Sequence, residues 1–124
     1  MKNNTLCWTD IPVANLDRAT AFYSALLATA VEKQTAGNGS DYALLPWTEG
    51  VVSGCLYVAD DNTPSAKGPL VYLSVEGRLD DAVRAAEQQG GRLVQAKHPI
   101  GPHGFRALVL DSEGNRVALH SMKP

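Results

Sequence analysis

Leu16-Asp17-Arg18-Ala19 returns sixty-three positions later as Leu79-Asp80-Asp81-Ala82, and each copy opens a stretch with helical apolar spacing. The same offset carries Tyr42-Ala43-Leu44-Leu45 onto Phe105-Arg106-Ala107-Leu108, two segments that read as strands. The chain is written twice. A half of this size buries too little surface to close a core alone, so the halves are expected to share one. The seam between them is then the natural place for a pocket.

Around each helical stretch the pattern is the same. Residues 5–13 alternate and are rich in strand formers, so they read as a strand. Asn15 suits the N-cap of a helix over 16–28, whose apolar positions Leu16, Ala19, Phe22, Tyr23, Leu26 and Leu27 share one face. Strands are expected near 31–36, 41–47 and 51–59, separated by Gly- and Asn-containing turns. In the second half, 69–75 reads as a strand and 78–89 as a helix with Leu79, Ala82, Val83 and Ala86 inward. Gly90-Gly91 stops that helix. Strands near 92–97, 104–110 and 115–121 follow, the last two joined by a tight turn at Asp111-Ser112-Glu113-Gly114-Asn115. The order is βαβββ twice, an α+β chain. A first unit over 5–60 and a second over 69–122 are joined by a polar, Pro- and Gly-containing linker at 61–68. Its 124 residues fit one domain.

Composition excludes more than it assigns. Hydrophobic residues make up 44% and charged residues 19%, as in ordinary globular proteins, and the net charge is −2. That balance and the lack of a basic run leave nothing to attract nucleic acid or a membrane surface. No apolar run approaches the roughly 20 residues that cross a bilayer. The start, Met1-Lys2-Asn3-Asn4-Thr5, does not read as a leader. Cys7 and Cys55, both in apolar strand-like segments, read as buried, reduced thiols of a cytoplasmic protein.

Phe22-Tyr23 in the first helix, Gly90-Gly91 after the second, and Asp111-Ser112-Glu113-Gly114-Asn115-Arg116 before the final strand resemble, in this order, the vicinal oxygen chelate superfamily. That group contains glyoxalase I, extradiol dioxygenases and bleomycin- and fosfomycin-resistance proteins. The likeness spans about Leu6 to Ser121 and implies tandem βαβββ units forming a curved half-barrel sheet with a cleft. It also implies a homodimer. It does not by itself imply an activity.

Metal enzymes of the superfamily draw four His, Glu or Gln ligands from the first and last strands of each unit. Carried over with Phe22-Tyr23 as anchor, those positions fall on Trp8, Leu70 and Ala118, and the remaining strand, 51–59, holds no His, Glu, Gln or Asp. None of these offers a suitable oxygen or nitrogen, and His98, His103 and His120 match no common ligand spacing. No metal and no other cofactor is therefore expected.

Strand alternation proposes what the cleft contains instead. With Trp8 facing it, Leu6 and Asp10 share its side; with Ala118 facing it, so do Arg116 and His120; Leu70, Tyr72 and Ser74 line the fifth strand. Trp8, Asp10, Trp47, Tyr57, Tyr72, His103, Arg116 and His120 are the candidate ligand-binding residues. Each has an ordinary alternative. Trp8 either contacts ligand or fills the space of lost metal ligands, and Asp10 and Arg116 either serve a ligand or pair with each other. Trp47 and Tyr57 are either core residues or platforms for a flat ligand, and His120 is either surface-exposed or an acid–base group. Residues 97–104, with two prolines, two glycines and two histidines, read as either a lid carrying His103 or an ordinary loop. No nucleophile elbow and no phosphate-binding glycine pattern is present.

The expected function is metal-free binding of a small organic ligand, of the bleomycin-resistance type. The alternatives are a glyoxalase-like lyase or isomerase using Asp10, His103 or His120, and an interaction domain with a vestigial cleft.

Overall fold

The computed structural model describes residues 4–124; Met1-Lys2-Asn3, the start of the segment read as leaderless, lies outside the described residues. Eight strands and two helices alternate as β1 (Trp8–Pro12), α1 (Leu16–Leu27), β2 (Glu32–Thr35), β3 (Asp41–Leu44) and β4 (Ser53–Tyr57), then β5 (Val71–Ser74), α2 (Leu79–Gln88), β6 (Arg92–Pro99), β7 (Phe105–Leu110) and β8 (Arg116–Ser121). Each half makes its own sheet, with orders β1-β4-β3-β2 and β5-β8-β7-β6. In both, the first strand runs parallel to the last and the rest are antiparallel. The repeat in sequence is thus a repeat in topology. β1 is shorter than the strand read over 5–13, and β4 shorter than that over 51–59.

Local signals set the helix ends. Asn15 is the N-cap of α1, its side-chain oxygen accepting from the Arg18 N–H at 2.9 Å. α1 stops one residue short of the expected span, because Ala28 turns left-handed at φ 54° and the Thr29 N–H bonds back to the Ser24 carbonyl. α2 ends at Gln88, and Gly90 at φ 92° lets the Gly91 N–H return to the Ala86 carbonyl at 2.8 Å. Gly91 admits no side chain: a Cβ there would lie 2.8 Å from the Phe22 ring and 2.5 Å from the Leu110 carbonyl.

One hydrophobic cluster joins the halves. Ile11, Ala43 and Leu56 from the first sheet, Val13 just after β1, Val75, Ala107, Val109, Val117 and Leu119 from the second half, and the inward faces of α1 and α2 all belong to it. Val83 packs at its edge, only partly buried. Each sheet therefore has a helix-facing side in the core and an outer side on alternate residues.

A buried polar clasp locks the halves together. Asp111, 2% exposed, accepts from the Tyr23 hydroxyl at 2.6 Å, the Asn115 side chain at 3.0 Å and the N–H groups of Glu113 and Asn115 at 2.8 and 2.9 Å. Asn115 in turn donates to the Pro12 carbonyl at 2.8 Å and accepts from the Ser65 N–H at 3.0 Å. Glu113 reaches the start of α1, taking the Ala14 and Asn15 N–H groups and the Arg18 guanidinium at 2.7–3.0 Å. A carboxylate at a helix N-terminus meets unsatisfied N–H donors and the positive end of the dipole. Burial pushes the Glu113 carboxyl up, but Arg18, these N–H groups and the Ser112 hydroxyl outweigh it and hold it down at about 2.

Two readings need correction. Cys7 is exposed, because the chain has not yet entered β1; only Cys55 is buried, and both thiols are free. Residues 97–104 form neither a lid nor a long loop. β6 continues to Pro99 and pairs with β7 through two register shifts, leaving a single 3₁₀ turn at Gly101–His103 closed by the Ile100 N–H to the Gly104 carbonyl at 2.9 Å. No helix among the described residues is long and apolar enough to cross a membrane.

Candidate functional site

Cavities open where the repeat places its seam. β1 and β5 are the end strands of their sheets, so each has an unpaired edge. A cavity of about 780 Å³ is walled by both, and its apolar lining includes Leu6, Ile11, Leu45, Val52, Leu70 and Leu73. Leu27 and Thr29 at the end of α1 line its inner side, and Thr9, Ser53, Tyr72 and Ser74 add hydroxyls. A second cavity of about 240 Å³ lies beside the connection between the halves and is more polar, with Asp10, Asn62, Lys67, Asn115 and Arg116 on its walls.

On the outer side of the first sheet, Asp10 is the centre of a small group. Its Oδ1 accepts from the Trp8 indole N–H at 3.1 Å and the Cys55 thiol at 3.2 Å. Burial, with the neighbouring Asp10 carboxylate, pushes the Cys55 thiol up to about 11. Asp10 and Arg116 line the same small cavity, but no ion pair between them forms among the described residues. Asp10 is oriented by uncharged donors on its own sheet instead.

On the outer side of the second sheet, register builds a row that sequence alone does not show. Ser74 of β5 pairs with His120 of β8, His120 with Arg106 of β7, and Arg106 with His98 of β6. The Arg106 Nε donates to His98 Nε2 at 3.0 Å and its Nη1 to the Tyr72 hydroxyl at 2.5 Å. His98 Nδ1 meets the Ala96 carbonyl at 2.8 Å, which makes Nδ1 the protonated nitrogen and Nε2 the acceptor. His120 Nε2 donates to the His103 carbonyl at 2.6 Å, and its ring lies 6.3 Å from that of Tyr72.

The candidate residues therefore divide. Asp10, Arg116 and Tyr72 line cavities. Trp8, 40% exposed, holds Asp10; His120 is half-buried in an interior strand beside Tyr72 and meets the 3₁₀ turn through the backbone of His103, not its imidazole. Trp47 is exposed in the β3–β4 connection, and the Tyr57 hydroxyl accepts from Asn62 at 2.8 Å. Neither wall includes Trp8, Trp47, Tyr57, His103 or His120. Arg106 and His98 were missed as partners. Their juxtaposition depends on the register of β6 with β7, which brings His98 opposite Arg106.

The metal chemistry of related folds does not fit the residues present. Trp8 donates to Asp10 and has no acceptor to offer a cation. Leu70 and Ala118 are hydrocarbon. On β4 the outward groups are Ser53, Cys55 and Tyr57, and Cys55, held as a thiol, resists forming the thiolate a metal requires. Among the described residues no group of three or more His, Cys, Asp or Glu side chains converges.

No sequence-family profile matches the chain, and no curated relative matches it. Solved structures do. A glyoxalase/bleomycin resistance protein from Albidiferax ferrireducens T118 superposes with a TM-score of 0.75 at 12% identity, over 95% of this chain and 98% of that one. A glyoxalase/bleomycin resistance protein/dioxygenase family enzyme from Burkholderia phytofirmans PsJN matches with a TM-score of 0.69 at 18% identity, over 96% and 99%. A glyoxalase I variant from Zea mays matches 94% of this chain to 46% of its own length, with a TM-score of 0.67 at 18% identity. At such identities the likeness establishes the fold and leaves the activity to the residues.

Proposed function

From a chain with the glyoxalase/bleomycin-resistance fold, we propose a protein that binds a small organic molecule at the seam between its halves, without a resident metal. The observation that carries this reading is the cavity of about 780 Å³ between β1 and β5. It lies within the roughly 300–1,000 Å³ of small-molecule sites, and a mostly apolar wall with a few hydroxyls is their usual composition. The replacement of metal-ligand chemistry by Trp8, Leu70 and Ala118 supports the metal-free part. We place the protein in the cytoplasm, on its two unpaired cysteines. We take it as a homodimer, because Trp8, Tyr72 and Val52 present large apolar groups at the surface near the seam.

A lyase or isomerase reading draws less support. Asp10 spends one oxygen on Trp8 and Cys55, and His120 spends Nε2 on the His103 carbonyl.

The test is a thermal-shift and calorimetric screen of the purified chain against apolar organic molecules of ten to twenty heavy atoms, beside the Leu70→Trp variant, which fills the cavity. Binding by the parent and its loss in Leu70→Trp is the expected result. Stoichiometric metal that is required for binding would overturn the metal-free reading, and equal binding by both proteins would move the ligand elsewhere.

A further inference from the structure

The charged side chains on the outer side of the second sheet are all arginines, with two imidazoles beside them. Its register places Arg92, Arg106 and Arg116 there with His98 and His120, and no Asp or Glu occurs at any outward position of β5, β6, β7 or β8. This is a segregated cationic face on a chain of net charge −2. Glu76, which follows β5, is turned to the Met122 N–H at 2.7 Å and the Ser121 hydroxyl at 3.3 Å. Among the described residues Arg106 has no carboxylate partner.

Arg106 is also held in place. A guanidinium has five N–H donors in a fixed plane. Two are used, by His98 and Tyr72, and both acceptors are neutral. Three remain, including both on Nη2. Tyr72, which anchors one side of the guanidinium, lines the large cavity, as does Ser74 from the same cross-sheet row. A planar cation whose orientation is fixed by neutral partners, outside the wall of an apolar cavity but joined to it through Tyr72, is arranged for a planar anion joined to an apolar body. Lost side-chain entropy on binding is small, because the guanidinium is already ordered.

We infer that the ligand of this fold's seam is an organic carboxylate, its carboxyl group taken by the free N–H donors of Arg106 and its hydrocarbon part lying along Tyr72 into the cavity. The inference rests on the small-molecule reading above and narrows it to one class. Arg106 is the specificity-determining residue, and His98 and Tyr72 position it.

The experiment uses matched pairs that differ only in charge: 4-phenylbutyrate against 4-phenylbutanamide, and hexanoate against hexanamide, titrated calorimetrically into the full chain. Each acid is expected to bind at least about tenfold more tightly than its amide, an advantage that shrinks as salt rises. Arg106→Met abolishes the advantage, so that acid and amide bind alike, while Arg106→Lys keeps part of it. Tyr72→Phe, which removes a positioning contact but no charge, lowers the advantage severalfold and serves if Arg106→Met does not fold. Equal binding of acid and amide, or an acid preference that survives Arg106→Met, overturns the inference and leaves the small-molecule reading standing. If no member of either pair binds, and the broader screen against Leu70→Trp is also flat, both fall together.

Discussion

The Tyr23 hydroxyl donates to Asp111 Oδ2 at 2.6 Å across 88 residues of sequence, inside the core. Two motifs that looked independent in the sequence, Phe22-Tyr23 and the turn at 111–115, are therefore the two halves of one contact. Burial and the Asp111 charge both push the Tyr23 hydroxyl well above its ordinary value, so it stays a donor at any working pH. Tyr23→Phe leaves a buried carboxylate one donor short. It is expected to cost about 1–3 kcal/mol, seen as a lower urea midpoint at unchanged slope. No loss of stability would show that water takes over the role.

Glu113 makes stability depend on pH. Its carboxyl ordinarily titrates near 4.5 and is held at about 2 in the folded chain. A depressed folded value means the contribution is complete above pH ~5 and is lost as pH falls towards ~2. Since Arg18 is half exposed and partly screened, the contribution is on the order of 2 kcal/mol. Unfolding measured from pH 6 to pH 2.5 should fall more steeply for the parent than for Glu113→Gln. Parallel curves would remove Glu113 from the acid limb.

The two thiols should differ in reactivity. Cys7 is exposed, whereas Cys55 is buried with its thiol pushed up to about 11, so only about one in a thousand is thiolate at pH 8. A thiol reagent at that pH is expected to label one cysteine per native chain and two after denaturation. Rapid labelling of Cys55 in the native protein would contradict the packing around Asp10.

Ala28 takes a left-handed conformation, with φ 54°, to end α1. A Cβ in that region costs roughly 1–2 kcal/mol, part of which glycine returns as unfolded-chain entropy. Ala28→Gly should therefore stabilise the chain by about 0.5–1 kcal/mol in a denaturant titration. A destabilised variant would mean that the Ala28 methyl makes packing contacts that outweigh the relief.

The doubled βαβββ order, the capping of α1 by Asn15, the stop at Gly90 and the sidedness of β1, β5 and β8 were legible in the amino-acid sequence. These depend on residues a few positions apart: helical period, alternation, and turn chemistry that acts on the local backbone. Even there composition misled, as with the connection expected over 97–104, much of which is strand, and the burial of Cys7. Which outward side chains meet is a matter of tertiary structure. The row Ser74–His120–Arg106–His98 exists because four strands from distant parts of the chain pair in one register, and in β6 that register slips twice. A slip of one residue reverses the face a side chain occupies, and nothing short-range in the sequence records it. The partner of Asp10 was settled the same way: the parallel pairing of β1 with β4 brought it Cys55 and not Arg116.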